Sequence, residues 1–148
     1  MKIMVINGPS INFIGIREPE IYGNEGYEHL KNLIIDKIKK EDITATVTQS
    51  NSEGEIVSFI QEAYYDSYDG IIINPAAYSH YSIAILDAIK SVDIPCVEVH
   101  ISNISSREDF RQSSITAKGC IAQVAGFGLY GYILAIDGLV EYIKNMRA

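Results

Sequence analysis

Apolar residues along this chain fall into two recurring patterns, short unbroken runs and stripes at helical spacing. "KIMVING" (2–8) is a run of the first kind. Asn-Gly-Pro turn chemistry ends it, so it reads as a buried strand. Residues 27–41 place Leu30, Leu33, Ile34 and Ile38 on one side and charges on the other, which predicts a helix. "ITATVTQS" (43–50) alternates like a strand. A second helix follows, with Ile56, Phe59, Ile60 and Ala63 as its stripe and Ser52 and Glu55 at capping-box spacing. "GIIIN" (70–74) predicts a buried strand stopped by Pro75, and 82–92 a helix with Ile85, Leu86 and Ile89 on one face. "IPCVEVHI" (94–101) reads as a strand, then a polar loop runs to about residue 115. "GCIAQVAG" (119–126) reads as the last strand and 130–145 as the last helix, apolar at Ile133, Ile136, Val140 and Ile143.

Continuous apolar strands alternating with amphipathic helices mean a parallel sheet covered on both faces by right-handed crossovers. With five strands the expected fold is α/β, a flavodoxin-like three-layer α/β/α sandwich of strand order 2-1-3-4-5. The 148 residues suit a single domain, 1–148, with no repeat or linker. The break in pattern is 8–26, too long and too rich in glycine and charge for a plain connection; it reads as a lid or binding loop.

Composition narrows the partners. A net charge of -7 argues against nucleic acid or an anionic membrane as the main partner, while leaving room for a local anion pocket. No apolar run reaches the roughly 18–20 residues of a membrane span. The N-terminus turns polar too early for a signal peptide, so a cytoplasmic protein is expected. Cys96 and Cys120 lie in apolar runs and read as buried, reduced thiols; no Cys or His spacing suggests a metal.

Ligands of such sheets sit beyond the carboxyl ends of the strands at the topological switch point, here between the first and third strands. The connections after strands one, three and four hold Arg17, Tyr22, Asn74, His80, Glu98, His100, Ser102, Arg107 and Arg111. Glu98 and His100, two apart on one strand, point to the same face. No phosphate loop, dinucleotide fingerprint or nucleophile elbow follows any strand.

Together "INGP", "REPEIYG", "QSNSEGEIV", "INPAAYSH", "VEVHISN" and "GYILAI" resemble the type II 3-dehydroquinate dehydratases, nearly end to end. The resemblance implies a cofactor- and metal-free hydro-lyase of the shikimate pathway of aromatic amino acid biosynthesis. It would eliminate water from 3-dehydroquinate through an enolate to give 3-dehydroshikimate. It also implies trimers gathered into dodecamers. Carried over by resemblance, Tyr22 is the base, Arg17 the transition-state stabiliser, His100 the acid and Glu98 the residue orienting His100. Asn74 is counted among the catalytic residues and, with His80, Ile101, Ser102 and Arg111, binds substrate, and Asp87 reaches a neighbouring subunit's site. "GIREPEIYG" (15–23) is then a lid carrying the base and its activator, since a guanidinium beside a phenol favours the phenolate.

The chain departs from the family at Ser10, where asparagine is usual beside the enolate oxygen. It departs again at Ser105, Gln112, Ser113 and Ile115, near Arg107 and Arg111. Ser10 leaves a second reading open, a slow or inactive paralogue binding a quinate-like acid as sensor or scaffold. A third is an unrelated flavodoxin-like domain for a nucleotide or flavin. Singly, each residue also has a plainer reading: Tyr22 as packing, Arg17 as a solvated charge, Asn74 as a turn former, Ser102 and Asp87 as caps or surface.

Overall fold

A computed structural model of the chain describes residues 1–18, 20 and 25–148. Five parallel strands form one sheet: β1 (Lys2–Asn7), β2 (Thr44–Gln49), β3 (Gly70–Asn74), β4 (Cys96–His100) and β5 (Ala122–Ala125), in the order β2-β1-β3-β4-β5. Four helices of nine or more residues connect or follow them among the described residues: α1 (Tyr27–Lys40), α2 (Glu53–Tyr65), α3 (Ile83–Ser91) and α4 (Tyr130–Arg147). This is the expected flavodoxin-like sandwich.

Strand alternation sorts the core into two layers. Ile3, Val5, Ile72, Val97 and Val99 meet Leu30, Ile34 and Ile38 of α1 and Tyr132, Ile136, Leu139 and Ile143 of α4. Met4, Ile6, Ile71, Ile73 and Cys96 meet Ile56, Ile60 and Ala63 of α2 and Ile85, Ala88 and Ile89 of α3. Burial of each of the valine, leucine, isoleucine and methionine side chains stabilises by about 1.5–3 kcal/mol. Every residue of β3 and β4 is buried, as two-sided coverage demands.

Local signals resolve with one change of partner. The Ser52 hydroxyl accepts the Glu55 amide of α2 at 3.4 Å, which is half of a capping box. The Glu55 carboxylate accepts instead from the Ser50 hydroxyl, and Ser50 Oγ takes the Ser52 amide at 2.9 Å.

The last strand is shorter than 119–126 and is not buried. Residues Thr116–Gly119 form a 3-10 turn, and Gly119 lies so close to α3 that a Cβ there would come within 3.0 Å of Ile89. That contact delays the strand, and β5 is left at the sheet edge with Ala122 and Gln123 exposed. Cys96 is buried as expected, whereas Cys120 is half-buried; both are free thiols, with sulfurs 3.7 Å apart.

At the switch point the ends of β1 and β3 are drawn together. Asn7 and Asn74 are register partners, and the Gly8 amide donates to the Asn74 carbonyl at 2.7 Å. A Cβ on Gly8 would stand 2.6 Å from the Pro75 carbonyl oxygen, so only glycine permits the approach. Gly8→Ala is expected to cost about 1–3 kcal/mol by forcing these ends apart. Denaturant unfolding measures it, and an unchanged midpoint would contradict the assignment.

Candidate active site

Beneath the cleft, β1, β3 and α4 are clasped by three side chains. The Tyr132 hydroxyl, fully buried, donates to Asn7 Oδ1 at 2.7 Å and accepts from Asn74 Nδ2 at 2.8 Å. Burial pushes the Tyr132 phenol far above its ordinary range, so it stays a neutral relay. Asn74 Oδ1 accepts the Ala76 amide at 3.1 Å, an Asx turn around Pro75. Both ends of the amide are thereby oriented, and Nδ2 retains a second hydrogen. Ala76 itself sits at φ 52°, a left-handed conformation rare for alanine, at the rim of the cleft.

On β4, Glu98 and His100 face the α3 side of the sheet. His100 Nε2 lies 2.6 Å from Glu98 Oε1, and Glu98 has no exposed surface. The carboxylate can only accept, so Nε2 carries the hydrogen and Nδ1 is the ring nitrogen left for the cleft. Ser114 and Thr116 donate their hydroxyls to Glu98 Oε1 and Oε2, both at 2.5 Å, and Gln123 Nε2 donates to Oε1 at 3.1 Å. Burial by itself would raise the Glu98 carboxyl. The hydrogen bonds from His100, Ser114 and Thr116, with the imidazole charge, outweigh it and hold the group below its ordinary value of 4.5.

His80 closes the next side. Its ring stacks on His100 at 6.5 Å between centroids, and Nδ1 donates to the Ser113 carbonyl at 2.9 Å. Asn103 caps the turn after β4, its Oδ1 accepting the Ser105 amide at 3.3 Å. Two short 3-10 turns, Ile104–Ser106 and Asp109–Arg111, then bring Arg107 and Arg111 to the cleft with Glu108 nearby, 3.2 Å from Arg111 Nε.

From the β1 side comes the segment 8–18. Ile11 and Ile14 are buried in the α1/α4 core layer, anchoring its front half. Ser10 has φ 64°, and its amide donates to Asn51 Oδ1 at 3.0 Å. Arg17 lines the cleft with Nη2 2.6 Å from Glu18; this hydrogen bond holds the Glu18 carboxyl below its ordinary range.

These walls enclose about 140 Å³, small beside the roughly 300–1,000 Å³ of drug-sized pockets. Ser10, Arg17, Asn74, His80, His100, Ile101, Ser102, Arg107 and Arg111 all line it, and Glu98 backs His100 from beneath. Asp87 does not: it is exposed on α3. Tyr22 lies outside the described residues. Sequence reasoning missed Tyr132, Ser114, Thr116 and Gln123. The signal for Gln123 was a long polar residue inside the apolar run "GCIAQVAG", opposite Glu98 in the β4/β5 register.

An imidazole backed by a buried carboxylate, with three guanidinium groups around a small polar cavity, defines an enzyme site for moving protons on a compact anion. Among the described residues no three His, Cys, Asp or Glu side chains are placed to hold a metal, and no helix is long and apolar enough to cross a membrane.

The dehydroquinase class II family model matches residues 1–140. The chain is 60% identical over 146 residues to the 3-dehydroquinate dehydratase of Clostridium acetobutylicum, covering 99% of this chain and 98% of that one. The type II dehydroquinase of Butyrivibrio crossotus superposes with a TM-score of 0.93 at 56% identity, covering 94% and 97%. That of Propionibacterium acnes gives 0.89 at 40% identity, covering 97% and 96%. The chain belongs to the class II dehydroquinases.

Because the folded Glu98 carboxyl titrates below its ordinary 4.5, its contribution to stability is complete above that pH and lost as pH falls through the lower folded value. Glu98→Gln sets an NH2 against a shell of donors. It is expected to cost about 1–3 kcal/mol and to flatten the acid dependence of unfolding. Denaturant midpoints of the two proteins across acidic pH test both expectations.

Proposed function

We propose that this protein is a 3-dehydroquinate dehydratase, eliminating water from 3-dehydroquinate to give 3-dehydroshikimate in the shikimate pathway. Family membership supports the reaction. The observation that carries it is His100, backed by Glu98, opening on one cavity with Arg17, Asn74 and Arg111.

The mechanism needs a base, a holder for an enolate and an acid. Tyr22 is the base. A phenolate at neutral pH costs roughly 4 kcal/mol from an ordinary pKa near 10, and the Arg17 guanidinium lowers that cost. The Arg17 guanidinium is bonded to Glu18, and its five N–H donors let it serve another group at the same time. The phenolate takes the proton beside the ketone and the C–H electrons become the enolate. As the ketone re-forms, the C–O bond breaks and the hydroxyl leaves as water with the Nδ1 proton of the doubly protonated His100 ring, which keeps its Nε2 hydrogen on Glu98. Asn74, His80, the Ile101 amide, Ser102 and Arg111 hold the hydroxyls and carboxylate.

The whole chain works as one catalytic domain. Ile11 and Ile14 seat the front of the 8–26 lid on the core. The working form is a homo-oligomer, a dodecamer built from trimers in the cytoplasm, with no nucleic-acid or membrane partner. Asp87 serves the neighbouring subunit. The exposed Tyr81 and Ile83, at the start of the helix that carries it, support contact there.

A slow or inactive paralogue is the second reading, and Ser10 is what favours it. Its left-handed backbone suits asparagine better than serine, and serine is the shorter donor. Purified protein given 3-dehydroquinate is expected to raise the ultraviolet absorbance of a conjugated enone, and Tyr22→Phe to abolish the rise. Ser10→Asn is expected to increase the rate severalfold. Ligand binding without turnover, unchanged by Ser10→Asn, would establish the paralogue instead.

A further inference from the structure

The Glu98 cradle is larger than the orienting pair requires. Three protein donors besides His100 converge on one carboxylate: the Ser114 and Thr116 hydroxyls and the Gln123 amide. Thr116 is fully buried and Glu98 has no exposed surface. Each hydroxyl has a single hydrogen and gives it to the carboxylate. The 3.2 Å approach of Ser114 Oγ to Thr116 Oγ1 therefore carries no hydrogen bond of its own. The Ala117 amide donates to Ser114 Oγ at 3.1 Å and fixes that hydroxyl's direction. His100, Ser114, Thr116 and Gln123 all give a hydrogen to Glu98, and the anion accepts them together. A proton on the carboxyl would force a hydroxyl to turn away and become an acceptor, so the cradle as arranged favours the anion.

We propose that Ser114, Thr116 and Gln123 are positioning residues for the dehydration, holding Glu98 ionised and fixing the His100 ring so that Nδ1 faces the departing hydroxyl. The proposal rests on the reading of His100 as the acid. These residues sit 14–23 positions beyond His100, yet two of them lie together, Thr116 opening the Thr116–Gly119 turn and Ser114 two residues before it. The third comes from β5, directly opposite Glu98 in register. The cradle is therefore built by the same short turn and strand that close the sheet edge.

The other groups around the pair are His80, stacked on His100; Cys96, two residues before Glu98 on β4 and against Cys120; and Arg107 and Arg111 across the cleft. None of these is bonded to the Glu98 carboxylate, so the removal of a cradle donor acts on Glu98 first.

Thr116→Val keeps the side-chain shape and removes one donor. It is expected to lower kcat about 10- to 100-fold. KM is expected to stay within about twofold, because the residue does not reach substrate. The acid limb of the kcat profile is expected to move to higher pH, since a carboxylate with fewer donors protonates more readily. Thr116→Ser restores the hydroxyl and should recover most of kcat. Ser114→Ala, on a partly exposed turn, gives the same pattern and serves if Thr116→Val does not fold. Unchanged kcat and an unmoved acid limb in the folded variants, beside a His100→Ala that is dead, would overturn the cradle while leaving His100 as the acid. A fully active His100→Ala would overturn both.

Discussion

A carboxylate taken wholly out of water must receive its hydrogen bonds from protein, and Glu98 receives four. Leaving water costs an ion several kcal/mol even after relaxation. Four bonds to a charged acceptor return about 1.5–3 kcal/mol each, enough to offset that cost. The group consequently stays below its ordinary pKa despite complete burial. Everything on the cleft side of β4 follows from this. The imidazole is held in one tautomer and one orientation, and the loop from Ser114 to Gln123 must take a course that brings hydroxyls and an amide to one point.

The sheet supplies the second constraint. Asn7 and Asn74 end neighbouring strands in register, and Tyr132 of α4 ties their side chains together from the α1/α4 side. Glu98 and His100 belong to the opposite face. The cleft therefore straddles the sheet end, with an amide delivered from one layer and an acid pair from the other. Gly8 lets the strand ends approach closely enough for both to reach a small guest.

Much of this was legible in the chain. Unbroken apolar runs such as "GIIIN" and stripes such as Leu30, Ile34 and Ile38 arise from burial on both faces of a parallel sheet, so strand number, order and layers could be read. His100, Glu98, Asn74 and the arginines stood out because chemistry-bearing residues had gathered after strands one, three and four. The cradle was not legible. Ser114 and Thr116 look like loop residues, and their role depends on a turn that packs Gly119 against α3, a contact between segments distant in sequence. Tyr132 hid inside an apolar helix stripe, since a phenol ring satisfies the pattern and its hydroxyl leaves no trace in it. The length of β5 was overread for the same reason: periodicity does not distinguish an apolar turn from a strand.

The strand order also has a temporal side. β1 emerges first from the ribosome, yet both of its neighbours are made later, β2 by residue 49 and β3 by residue 74. At about 5–20 residues per second, roughly 3 to 13 seconds separate the end of β1 from the end of β3. Until β2 is made "KIMVIN" is a bare apolar segment with no partner strand, and until β3 follows one of its edges stays open, a natural landing place for chaperones or for another nascent chain. The reaction centre forms later still, because the Tyr132 clasp waits for the final helix. A truncated translation product is thus adhesive before it is ever active.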